Sequence, residues 1–269
     1  MVKKLFKHEY LSYVRVMSIV YVILLTMAAA NRIIQLFEAD TVAYKIVSVF
    51  SFITYGVSVA AAFGFSFVLG ILRFYRNLFT AEGYLTFTLP VTPSQHICVK
   101  AIAAVSMNIL TFVVVLLSGC IVTAGEVLKE LWLAADYLLK NLYELVGSHM
   151  ITVGLEYVLL LLLACFSGVG LYYTFIAIGQ LFKKNRILAA VGAYFAYYVL
   201  TQIVTTVITI VFTVLGETGA LEPVALWIME HFAASVHIGM WIGIVLTALF
   251  TAVEFFIVKR IITRKLNLE

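Results

Sequence analysis

AIAAVSMNILTFVVVLLSGCIVTA, residues 101–124, carries no charged side chain. A helix needs roughly 20 apolar residues to cross about 30 Å of hydrocarbon, and this stretch meets that length. Five others do as well: 16–36, 46–72, 151–182, 187–215 and 237–258. In the first of these, Asn31 and Arg32 interrupt the apolar run near its end, where Arg32 can snorkel to the interface. Composition agrees, with 64% hydrophobic and 12% charged residues. Soluble domains carry about 25% charged residues, and a water-facing exterior cannot be covered with half that. The sequence predicts an all-α integral membrane protein with six transmembrane helices in a single membrane domain, residues 1–269, with the lipid bilayer as its solvent.

The charges mark the ends of the spans. Of the 18 Lys and Arg residues, fourteen fall in 3–15, 73–100, 183–186 and 259–265. Those segments share one side if every span crosses. The other side holds Arg32, Lys45, Lys129 and Lys140, together with nine acids that include Glu126, Glu130, Glu217 and Glu222. Basic residues accumulate on the cytoplasmic side, so both termini and the loop between spans two and three are expected there. The N-terminal residues lack a short apolar core followed by a small-residue cleavage site, so no cleaved signal peptide is expected.

Three segments outside the spans are patterned. Residues 1–15 predict a cytoplasmic interfacial helix. Phe6, Tyr10, Tyr13 and Met17 recur at helical spacing, and Lys4, Lys7, Ser12 and Arg15 lie elsewhere. Residues 125–150 predict an extracellular amphipathic segment, with Val127, Leu131, Ala135, Leu138, Leu142 and Leu145 in one stripe. A helix resting on the outer headgroups and a lid over an exit both fit. Residues 216–236 predict an extracellular re-entrant-like segment, in which Pro223 suits a helix start before the apolar Trp227, Ile228 and Met229.

Catalytic and cofactor motifs are missing from the chain. It has no GxxxxGK[ST] phosphate loop. His8-Glu9 is followed at the required spacing by Ser12 rather than a second histidine, so there is no HExxH pair. Cys98, Cys120 and Cys165 are too few and too scattered for a disulfide framework or a zinc site. His231 and His237 read as interfacial histidines with local partners. No enzyme activity, no metal, no cofactor within this chain and no nucleic-acid partner are expected.

Polar groups inside spans cost energy and often mark function. Glu254 could pair with Lys259 and Arg260, and Asn108, Glu156 and Gln202 could bond neighbouring helices. Span six carries Ser235, Gly239, Gly243, Thr247 and Thr251 four apart, a small-residue ridge in which Gly239 and Gly243 suit close helix packing. Span five carries Tyr197, Thr201, Thr205, Thr209 and Thr213 on one row, with Gln202 beside it. A packing ridge and a substrate-facing wall both fit that row.

EGYLTFTLPVTPSQ, residues 82–95, is unlike the apolar runs around it and holds Pro90 and Pro93, two of the three prolines. Proline fixes φ and disfavours helix just before it, so the segment is a stiff connector. The longer stretch RFYRNLFTAEGYLTFTLPVTPSQHICVK, 73–100, resembles the loop between the second and third spans of bacterial ABC-2-type exporter permeases. The matching residues are Glu82, Gly83, Pro90, Val91, Thr92 and Lys100, and the form GYLTFTLPVTPSQ is similar to permeases of Gram-positive anaerobes. The six-span layout is similar too, although segment 125–150 is longer than the family pattern.

The resemblance implies a permease subunit in a bacterial plasma membrane, paired with a second permease copy or a homologous permease. A separate ABC ATPase subunit would carry ATP and Mg and dock on segment 73–100. Arg76, Phe79, Glu82, Gly83, Tyr84, Pro90, Thr92 and Pro93 would then couple the two subunits, with Arg76 and Glu82 as polar contacts and Phe79 and Tyr84 as apolar anchors. An ATP-independent carrier or channel and a membrane-embedded sensor or scaffold are the alternatives from other classes.

Overall fold

The structure, a computed structural model, describes residues 2–37, 40–80, 82–83, 88, 90–182 and 184–264. No strand occurs among them. Helices with described bounds are α1 (Val2–Leu36), α2 (Val42–Phe79), α3 (Pro93–Val122), α4 (Glu126–Val146), α5 (Met150–Gly179), α6 (Arg186–Glu217), α7 (Glu222–Glu230) and α8 (Phe232–Arg264). A single 3₁₀ turn, Gly147–His149, joins α4 to α5. Six of these segments are long and apolar enough to cross a membrane, as the sequence predicts. The protein is a multi-pass helical membrane protein.

Helix starts follow local chemistry. Thr41 caps α2, its side chain accepting from the Tyr44 N–H at 3.3 Å. Thr92 caps α3 in extended backbone conformation, and Gln95 reaches back to the Thr92 N–H at 3.0 Å. This is a capping box with Pro93 at the start of the helix. Pro93 therefore opens α3 and is not part of a loop. The expected outer segments are also helical, as α4 and α7.

The expected separate N-terminal helix is absent. α1 runs unbroken from Val2 through the first apolar span, and its 35 residues extend about 52 Å at helical rise, against about 30 Å of hydrocarbon. The stripe of Phe6, Tyr10, Tyr13 and Met17 is also not spread on a lipid surface. It packs on Ala103 and Met107 of α3 and Leu69 of α2. Burying aromatic side chains against another helix removes more apolar area from water than a half-submerged position at an interface does.

The described residues form two compact units that divide within α4, between Tyr137 and Leu138. In the first, α1 packs on both α2 and α3. Polar pairs climb this three-helix unit: Tyr21 with Thr111 at 2.7 Å, Ser66 with Asn108 at 2.8 Å and Tyr55 with Ser118 at 3.0 Å. In the second, α5 packs on α8 and on α6. No residue of α6 is buried.

Candidate functional site: a charged cluster where three helices meet

Each helix of the first unit contributes residues four apart, which share one helix face. They are Glu9 and Tyr13 on α1, Arg73 and Asn77 on α2, and His96 and Lys100 on α3. Glu9 is at the centre. Its Oε1 accepts from Lys100 Nζ and from Asn77 Nδ2 at 3.2 Å, and its Oε2 accepts from Arg73 Nη2 at 3.1 Å. Arg73 also donates through Nη1 to Ser12 Oγ at 2.6 Å. Its guanidinium lies over the Tyr13 ring, 4.4 Å from the centroid. Glu9, Lys100, His96 and Tyr13 are all buried.

Two cations thus answer one carboxylate. Glu9 precedes the apolar stretch 16–36. Burial alone would push its carboxyl up, but Lys100 and then Arg73 outweigh burial and hold it below the ordinary carboxylate range. Breaking such a cluster leaves an uncompensated buried charge, so the three helix ends are held as one piece.

The chain between α2 and α3 begins and ends on this piece. At its start Phe79 is buried, with its ring against Phe74 and Tyr75. Phe79, which the resemblance implies as an apolar anchor, turns inward at the last turn of α2, where a phenyl ring gains from apolar contact. Arg76 and Glu82, expected as polar contacts to a partner, pair with one another at 2.9 Å, and both remain about half exposed or more. Gly83 is buried, and its N–H donates to the Thr80 carbonyl at 2.7 Å. Pro90 and Thr92 are exposed. Tyr84 lies outside the described residues.

In the second unit, His237 Nδ1 lies 2.9 Å from both carboxylate oxygens of Glu156, and the His149 ring packs edge-on against it at 5.3 Å. His231 stacks on Trp227. Both expected interfacial histidines therefore have local partners. Among the described residues, no three His, Cys, Asp or Glu side chains are grouped to hold a metal.

The span-five row sits on α6. Tyr197 packs on Phe175 of α5, with ring centroids 5.4 Å apart. Thr201 and Thr209 donate to carbonyls of their own helix, at Tyr198 and Thr205. Gln202, Thr205 and Thr209 are exposed. Gly239 and Gly243, expected to suit helix packing within or between subunits, are not closely approached within the chain. A Cβ on Gly239 would meet nothing within 4 Å, and one on Gly243 would make ordinary contact with Leu160 at 3.6 Å. Gly170, against Glu254, and Gly179, against Arg186 and Ala190, are tight.

Glu254 also departs from expectation. Its carboxyl meets Ser167, at 3.3 Å from each oxygen, rather than Lys259 or Arg260. Those cations are five and six residues on, well over 100° around the helix, and both are exposed.

The sequence reading passed over Glu9, noting it only beside His8 in a failed metal motif. A usable signal was present: Glu9 shares the helix face of Tyr13, and unpaired basic residues stand at the ends of the next two spans. No family model, curated protein or solved structure matches the chain.

Proposed function

We propose that this chain is the membrane-spanning permease subunit of an ATP-driven exporter. A separate ABC ATPase subunit binds the segment between α2 and α3, and ATP hydrolysis there drives export. The protein sits in a bacterial plasma membrane with both termini cytoplasmic and works with a second permease copy or a homologue. The support is the resemblance of 73–100, together with how that segment is mounted. Arg73 and Lys100 flank it, and both bond the carboxylate of Glu9. A push on the segment therefore reaches α1, α2 and α3 together. A rigid mount transmits displacement, whereas a loose one absorbs it. Glu82, which pairs with Arg76, and Pro90 and Thr92 are exposed on this segment, and Thr201, Gln202, Thr205 and Thr209 on α6 are the candidates for the substrate side.

The test is purification of the full chain from its native membrane in mild detergent. The expected result is a co-purifying chain that bears a GxxxxGK[ST] phosphate loop and is lost when residues 80–90 are deleted. Pro90→Gly is expected to retain that chain and its ATP hydrolysis while slowing export. Retention of the ATPase after the deletion overturns the docking assignment. Flux driven by a proton or sodium gradient without nucleotide overturns the exporter reading in favour of an ATP-independent carrier.

A further inference from the structure

Glu254 lies on α8 within AVEFFIV, residues 252–258, and is 8% exposed. It heads the buried row completed by Val258 and Ile262. Its carboxyl is set into α5. Ser167 Oγ stands 3.3 Å from both oxygens, and a Cβ on Gly170 would fall 2.5 Å from Oε2. Any larger residue at 170 would require the carboxyl to shift. One turn on, Thr174 Oγ1 donates to the Gly170 carbonyl at 2.9 Å and lies 3.3 Å from the Glu254 carbonyl, which ties the two backbones together beside the acid.

Among the described residues no cation answers this carboxyl. α5 has no charged side chain after Glu156, and its titratable groups near this turn are Cys165, Tyr172 and Tyr173. α7, which also packs on α8, carries only Glu222 and Glu230, both ahead of the start of α8. On α8 itself, His237 is taken by Glu156, and Lys259 and Arg260 are exposed on other faces. An ionised carboxylate with one shared hydroxyl in an apolar setting is costly. A neutral acid in the same place is not, because its O–H and the Ser167 hydroxyl satisfy one another.

We propose that Glu254 is a proton-binding site. Its side chain is a carboxylic acid, hydrogen-bonded to Ser167 and seated against Gly170. On release, the O–H bond breaks, the proton passes to water at the Lys259–Arg260 end of the helix, and a carboxylate remains. That carboxylate needs water where Gly170 now sits, so proton exchange is tied to separation of α5 from α8. The ligand is a proton. The inference is independent of the permease assignment, which stands if it fails.

Infrared spectroscopy of the full chain in phosphatidylcholine–phosphatidylglycerol vesicles tests it. At pH 7 the carbonyl stretch of a protonated carboxylic acid is expected, with loss of that band in Glu254→Gln. The glutamine keeps the shape and neutrality of the acid, so thermal stability is expected to stay unchanged. Ser167→Ala provides a second readout: it removes the hydrogen bond, so the band should persist and move to higher wavenumber. No protonated-acid band at pH 7, or a band unmoved by both substitutions, overturns the assignment.

Discussion

Lys100, at the start of α3, bonds the carboxylate of Glu9 on α1, 91 residues earlier in the chain. The contact is buried on both sides, and Arg73 of α2 completes it. One carboxylate thereby fixes the ends of three helices, and this relation gives the sharpest stability test.

Lys100→Met leaves Glu9 short of one cation, and Glu9→Gln leaves two cations facing each other. Each is expected to cost about 3–5 kcal/mol, because a buried charge loses its partner. Replacing both together is expected to recover much of the loss. Unfolding midpoints in detergent, arranged as a double-mutant cycle, measure the coupling. Additive losses would mean that the pair is not energetically coupled.

Arg73→Lys tests the geometry of the guanidinium. Arginine reaches Glu9 and Ser12 at once and lies flat on Tyr13, whereas a lysine head group is a point charge without that fork. The expected loss is about 1–2 kcal/mol, read from the same unfolding midpoints. An unchanged midpoint would reduce Arg73 to a generic positive charge.

The glycines of α5 and α8 should respond in opposite ways. Gly170→Ala puts a methyl into the Glu254 carboxyl and is expected to destabilise by about 1–3 kcal/mol. Gly239→Ala meets open space and is expected to be neutral or to stabilise by up to about 1 kcal/mol. Unfolding and size-exclusion profiles of both variants separate the cases. Loss of assembly in Gly239→Ala with folding intact would place that ridge between copies of the chain.

Thr92→Ala removes the hydroxyl that caps α3 and is expected to cost about 1 kcal/mol. Amide exchange should quicken locally, over the first turn of α3. No change there would mean that Pro93 alone sets the helix start.

Sidedness follows from the Lys and Arg distribution. Cysteines introduced at Glu130 and Glu217 are expected to react with an impermeant thiol reagent on intact cells. Native Cys98, exposed in the structure, is expected to stay unlabelled until the membrane is opened. Labelling of Cys98 on intact cells would reverse the orientation.

The site was only partly legible in the sequence. Arg73, Lys100, Pro90 and Pro93 stood out as breaks in apolar sequence. Thr92-Pro-Ser-Gln95 was a readable capping box that the stiff-connector reading passed over. The roles of Phe79, Arg76 and Glu82 were not readable, since the same residues suit an outward or an inward contact and local pattern does not choose. Gly170 gave even less signal, because close approach to a glycine depends on what the facing helix carries.

The sequence by itself determined that this chain is helical, that six segments can cross a bilayer, and roughly where they start and stop. Uncharged runs of that length have few other places to go, and a helix satisfies its own backbone hydrogen bonds without help from outside. Tertiary structure alone decided that Glu9 meets Lys100 and Arg73, and that Glu254 meets Ser167 instead of its basic neighbours along the helix. It also turned the first apolar stripe onto α3. Which faces meet depends on the rotation and register of separate helices. Those are set by packing between residues distant in sequence, which no local period records.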